Sequence, residues 1–179
     1  VSGIRVAEKR SPWYLRLDRW TDWIVTRHIC VSQAVRQFSV NVAQLDQSKL
    51  LVIPNGVDVP RFAEASALSR ANFSINETDV FILTVGRLDP QKGYDDLIAA
   101  AVILKPRYPH LKWMIVGDGP SRDKLEQAVQ LNDLAETVHL LGRRDDVPAL
   151  MKTADLFVFA SHWEGMPNVI LEAMAARLP

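Results

Sequence analysis

The sequence predicts an α/β fold, a parallel sheet with helices on both faces. Three observations point to it. From Asp79 onward, short apolar runs alternate with longer amphipathic stretches. The apolar runs are near-continuous, as expected of strands buried on both faces. Each run ends in a polar, glycine-bearing loop (GRLDPQKG, GDGPSR, GRRDD, SHWEGMPN) before the next helical pattern begins.

In chain order, Trp13 to Arg27 reads as a Trp- and Arg-rich helix. HICV follows as a short strand, then SQAVRQF as a helix for which Ser32 is a suitable cap. LLVI is the next strand. PNGVDVPRF is a Pro- and Gly-bearing turn between two unlike stretches, so residues 54–60 are read as a linker. It separates the tail of one α/β domain, residues 1–53, from a second domain, residues 61–179. In the second domain, Val80 to Gly86 is a strand, and YDDLIAAAVILK is a helix with Leu97, Ala100, Ala101 and Leu104 on one face. Lys112 to Gly117, Val138 to Gly142 and Leu156 to Ala160 are strands, the last expected to be buried. Their helices are SRDKLEQAVQLN, DVPALMKTA and VILEAMAAR, with Pro167 or Asn168 in the first turn of the last. Glu164 therefore falls on a strand-to-helix loop, and Glu172 about one turn into a helix.

With 48% hydrophobic residues among 179 and zero formal net charge, the chain has enough apolar mass for one core and part of another. Balanced charge gives no support for a polyanion-binding surface, so nucleic acid is not an expected partner. Cys30, the only cysteine, lies between Ile29 and Val31 and reads as a buried, inert thiol, which makes the cytoplasm the natural compartment. No Cys/His spacing suits a metal. Asn72-Phe-Ser and Asn76-Glu-Thr match glycosylation acceptors, but no secretory signal accompanies them. A start at Val1 and a stop just after a helix give the expectation of an internal fragment.

Ligands of open parallel α/β sheets bind beyond the carboxyl ends of the strands. That rim is expected to hold Arg87, Lys92, Arg143, Arg144, Glu164 and Glu172, a mixture suited to a ligand with phosphates and hydroxyls. Arg87 and Lys92, between Gly86 and Gly93, offer a planar fork and a point charge to a diphosphate; the alternative is a pair of solvated loop charges. GDGPSR lacks the third glycine of a dinucleotide fingerprint and is read as a tight turn into a helix. Asp145 and Asp146 could simply pair with Arg143 and Arg144. Glu164 and Glu172 could be an acid/base pair, structural charges, or acceptors for ligand hydroxyls flanking a helix N-terminus that favours phosphate.

The segments IPNGVD, VGRLDPQKGYDDLI, IVGDGP, LLGRRDDVPALMKTADLFVFAS and EGMPNVILEAMA, in this order and spacing, resemble the GT-B retaining glycosyltransferases of family 4, or group 1, type. The resemblance covers roughly Cys30 to the end. It implies two Rossmann-like domains, of which this chain holds the tail of the N-terminal, acceptor-side one and a truncated C-terminal, donor-binding one. It also implies a hexosyltransferase that uses a nucleotide-sugar donor without a metal. Arg87 and Lys92 would hold the diphosphate, Glu172 the ribose hydroxyls and Glu164 the hydroxyls of the transferred sugar. Gly86 would allow close approach, the stretch Gly165, Met166, Pro167, Asn168 and Val169 would face sugar and phosphate, and Arg143 and Arg144 would border the base. Arg87, Lys92 and Glu164 are the expected catalytic residues. The acceptor is a carbohydrate, a lipid-linked sugar or a small molecule, and the fragment is expected to be inactive alone.

Trp13, Tyr14, Leu17, Trp20 and Ile24 form an apolar stripe expected to pack on its own domain. With Arg16, Arg19 and Arg27 alongside, it is also compatible with peripheral association at a membrane, such as the inner face of the cytoplasmic one. Two other function classes stay open: a non-catalytic nucleotide-sugar-binding module, and a nucleotide-sugar epimerase of the same architecture.

Overall fold

The computed structural model describes residues 1–4 and 12–179. The chain divides into two compact units, Val1–Gly56 with Trp163–Asn168, and Val57–His162 with Val169–Pro179.

In the first unit, β1 (Ser2–Ile4), β2 (His28–Cys30) and β3 (Leu50–Val52) form a parallel sheet in that order, with Ile4 beside Cys30 and Cys30 beside Val52. Helix α1 (Pro12–Thr21) connects β1 to β2, and α2 (Gln33–Asn41) connects β2 to β3. The Ser32 hydroxyl accepts from the Val35 N–H at 3.2 Å and caps α2. Cys30, Val35, Ala43, Leu45 and Leu50 form the core, and burial pushes the Cys30 thiol above its ordinary value. The helix expected over Trp13 to Arg27 stops at Thr21 and gives way to a 3-10 turn, Asp22–Ile24. Its first residue is drawn off the helical path: the Asp22 carboxylate meets buried His28 Nε2 at 2.7 Å, and Lys49 Nζ donates to the Asp22 carbonyl at 2.6 Å.

In the second unit the sheet order is β6-β5-β4-β7, all parallel, from β4 (Val80–Val85), β5 (Leu111–Val116), β6 (Val138–Gly142) and β7 (Leu156–Phe157). Alternation along β4 sends its residues to two cores. Ile82 packs with Trp113, Ile115 and Val138 under α4 (Tyr94–Leu104) and α5 (Arg122–Leu131). Phe81 and Leu83 pack with Met114 and Val116 under α3 (Val59–Ala63), α6 (Val147–Thr153) and α7 (Asn168–Ala176). Helices thus cover both faces, as the alternating pattern requires.

The strand expected over Leu156 to Ala160 is shorter and less buried than the sequence indicated. Among the described residues β7 has only β4 as a strand neighbour, and pairing covers Ile82–Leu156 and Leu83–Phe157. Beyond it the Val158 N–H still donates to the Leu83 carbonyl at 2.9 Å, while the Val158 carbonyl accepts from the Thr84 hydroxyl at 3.0 Å, so a side chain takes over where the backbone ladder ends. Phe157 through Ala160 are half-buried.

Candidate functional site

The chain runs β4, β5, β6 in one direction across the sheet and then returns to place β7 on the other side of β4. The order reverses between β4 and β7, and such a switch point leaves a crevice at the carboxyl ends of the two strands. Lys92 and Phe159 face each other there.

The loop after β4 is held by its backbone. Gly86 N–H donates to the Val116 carbonyl at 2.9 Å, Leu88 N–H to the Asp118 carbonyl at 3.0 Å, and Ser121 N–H to the Leu88 carbonyl at 3.0 Å. Gly117 sits at φ +142°, and a Cβ there would lie 1.9 Å from the Gly86 carbonyl oxygen, so only glycine allows this approach. GDGPSR is thus a turn that braces the loop beside it. Leu88 is fully buried and points Arg87 the other way, where its side chain is 68% exposed and pairs with Asp89. Asp89 also accepts from the Gln91 N–H at 3.0 Å, fixing the 3-10 turn Pro90–Lys92. The Lys92 ammonium stands 5.6 Å from the centroid of the Phe159 ring, close enough for a cation–π interaction. Gly93 at φ +65° closes the loop against the Ala160 carbonyl, and Tyr94 donates its buried hydroxyl to the Gly86 carbonyl at 2.9 Å. The His162 N–H donates to the Gln91 carbonyl at 2.9 Å, which ties the segment after β7 to the same turn.

At the end of β6 the charges are spent differently. Arg144 donates twice to Asp146, Nε at 2.8 Å and Nη2 at 2.6 Å, and lies over the Phe73 ring at 5.6 Å. The two-point hydrogen bond to Asp146 raises the Arg144 pKa and, from the other side, holds Asp146 below the usual carboxylate range. Arg144 therefore has the local partner that Asp145 and Asp146 offered in the sequence, while Arg143 is exposed.

Glu172 lies on α7, one turn from its start. Burial raises its pKa above the ordinary glutamate value, and the positive charge of Arg61 on α3 acts in the opposite sense. Glu164 through Asn168 group with the first unit. The Asn55 side-chain amide donates to the Met166 carbonyl at 3.0 Å, and Met166 packs against the Cys30 core. Among the described residues, no group of three His, Cys, Asp or Glu comes together as metal ligands, and no helix is long and apolar enough to cross a membrane.

Sequence reasoning missed Asn55, Phe159, Tyr94 and Arg61. Asn55 stood in plain view inside IPNGVD, with an amide that suits it to clasping a carbonyl. Phe159 read only as an apolar strand residue. Nothing in the sequence tied Arg61 to Glu172.

The family model described as Glycosyl transferases group 1 matches residues 66–179. The Escherichia coli protein named UDP-Gal:alpha-D-GlcNAc-diphosphoundecaprenol alpha-1,3-galactosyltransferase is 36% identical over 93% of this chain and 44% of its own length. The uncharacterized glycosyltransferase MJ1059 of Methanocaldococcus jannaschii is 31% identical over 74% of this chain and 33% of its own. Among solved structures, Anabaena Alr3699/HepE in complex with UDP and glucose superposes with a TM-score of 0.81, at 26% identity, over 94% of this chain and 47% of that one. The chain spans less than half the length of these relatives.

Proposed function

The chain belongs to the group 1 glycosyl transferases, and from that premise we propose that the full-length protein is a hexosyltransferase. It moves a sugar from a nucleotide-diphosphate sugar to an acceptor hydroxyl, retaining the anomeric configuration. The bond from the anomeric carbon to the diphosphate oxygen breaks, the acceptor oxygen bonds that carbon, and the acceptor proton leaves with the diphosphate. The observation that supports this reading is the braced loop at the β4/β7 switch point, from which Arg87 and Lys92 extend; in this reading, charge collects on the leaving group beside them.

In this reading Arg87 and Lys92 bind the diphosphate, and these two cations replace a metal ion in neutralising it. Glu172 accepts from the ribose, Glu164 from the transferred sugar, the backbone of residues 165–169 approaches sugar and phosphate, and Arg143 borders the base. The UDP bound by HepE makes a uridine donor the first to test. The lipid diphosphate named for the E. coli relative makes a lipid-linked sugar the first acceptor to test. The lone, buried thiol supports a cytoplasmic setting.

The experiment is incubation of the full-length protein with labelled UDP- and GDP-sugars and an acceptor extract, with and without chelator. Transfer to acceptor that survives chelation is the expected result. Altered free sugar indicates an epimerase, and binding without turnover indicates a non-catalytic module. Activity lost to chelator and restored by magnesium or manganese contradicts the metal-free reading.

A further inference from the structure

The stripe on α1 does not pack inward. Leu15 meets the first unit's core, but Trp13, Trp20 and Trp23 are 62%, 74% and 79% exposed, and Tyr14 and Ile24 are exposed as well. At 3.6 residues per turn, Trp13, Arg16, Leu17 and Trp20 share one face, spaced i, i+3, i+4, i+7, on the side away from Leu15. Trp13 and Trp20 stand about 10 Å apart along the helix axis. Trp23 and Ile24 extend the row through the following 3-10 turn. The other two tryptophans differ: Trp113 is buried in the second unit, and Trp163, at 45%, is less exposed than these three.

Charge follows the same division. Residues 12–27 hold Arg16, Arg19 and Arg27 against Asp18 and Asp22. Of those acids, Asp22 is already engaged by His28 and Lys49, while Arg16 and Arg27 are exposed beside the aromatic row.

We propose that this face of α1 and its 3-10 turn lies on an anionic lipid surface. Trp and Tyr present an apolar body with a polar tip, the combination that collects at the boundary between headgroups and acyl chains. Arginine stems lie along such a surface while the guanidinium meets lipid phosphate. The row follows a helix and its turn in a line, and its aliphatic content is low, so it suits a plane better than the cleft of a protein partner. This inference does not rest on the donor-site reading. It holds the protein beside a bilayer whichever sugar is transferred.

The test is co-sedimentation of the full-length protein with vesicles of phosphatidylglycerol and phosphatidylcholine, and with phosphatidylcholine alone. Wild type is expected to bind the anionic vesicles and to be released by salt. Trp13→Ala/Trp20→Ala/Trp23→Ala should weaken partitioning about tenfold or more, and Arg16→Gln or Arg27→Gln about fivefold each. Circular dichroism melts confirm that each variant is folded. The difference in Trp emission between wild type and the triple variant should shift to the blue on adding vesicles. The proposal is overturned if wild type ignores anionic vesicles, or if the folded variants bind as well as wild type does. It also fails if that difference emission is already blue and shielded from iodide without lipid, since another part of the protein or a second copy then covers the face.

Discussion

Two basic loops sit at the same edge of the second sheet, each with an arginine paired to an aspartate two residues on, and they differ in what fixes their shape. After β4 the backbone is fixed by bonds from Gly86, Leu88 and Ser121, and Arg87 and Lys92 extend from it, one exposed and one poised over a ring. After β6, Arg144 is itself the fastener, forked onto Asp146 and laid on Phe73. A loop stiffened by its main chain can offer its cations to a ligand without losing its shape. A loop stiffened by its cations cannot.

The sharpest way to break this contrast is to remove each cation in turn from the full-length enzyme. Arg87→Ala and Lys92→Ala are expected to lower kcat about a hundredfold or more, because in the proposed reading each removes a donor from a leaving diphosphate. Arg144→Ala should leave kcat within about threefold, with a stability loss of about 1 kcal/mol or less, since the pair is a third exposed. Steady-state kinetics with thermal melts decides, and equal losses of kcat in all three folded variants would erase the distinction.

The bracing itself is tested by Gly117→Ala, whose methyl would collide with the Gly86 carbonyl at a φ that L residues rarely adopt. A loss of about 3 kcal/mol in denaturant unfolding is expected, from strain and overpacking together. Activity should fall with it even at temperatures where the variant stays folded, because Arg87 moves with that carbonyl.

In the proposed reading the two glutamates are expected to give a split of about tenfold to a hundredfold, read by calorimetric titration. Glu172→Ala should weaken both the bare nucleoside diphosphate and the sugar donor, whereas Glu164→Ala should spare the bare nucleotide. Glu172 also carries a pH signature. Its pKa is raised by burial, so the folded state holds the proton more tightly than the unfolded one. The associated stability is present below the ordinary glutamate range of about 4.3 and is lost as pH rises through the folded value. Glu172→Gln should therefore flatten the melting temperature against pH above about pH 4. A profile unchanged from wild type would remove Glu172 as its source.

The smallest effect is expected at Phe159. Phe159→Leu removes the ring facing Lys92, a contact of about 0.5–1 kcal/mol, and should cost about twofold to fivefold in kcat while Phe159→Tyr restores it. No change in Phe159→Leu would show that Lys92 is positioned by other neighbours.

What the sequence made legible was whatever follows from local pattern. The strands β4 and β6 and the helix α5 stand within a residue or two of their expected bounds, because continuous apolar runs and amphipathic period are local properties. The Ser32 cap is equally local. The length and burial of β7 were not legible, because ADLFVFAS does not announce whether one strand or two will flank it. Nor was the exposure of Trp13 and Trp20, since an apolar helical stripe reads alike whether it meets a core or a different medium. Of the site, the cations were visible as residue types. Their division into Arg144, held by Asp146, and Lys92, held over Phe159, depends on contacts between residues that chain order does not bring together in the second case.

The hydrogen bonds joining the turn after β5 to the loop after β4 also limit how this fold can diversify. Since Leu88 exchanges bonds with Asp118 and Ser121, and Gly117 leaves no room beside Gly86, neither loop can lengthen independently. A chimera that imports residues 86–93 from a relative should have to import residues 117–121 as well. Among the described residues, the segment 143–146 is joined to the rest more loosely, through the bond from Gly117 N–H to the Gly142 carbonyl just before it and the seat of Arg144 on Phe73. Insertions therefore have their freest ground after β6, where a graft need keep only Arg144, Asp146 and Phe73 together.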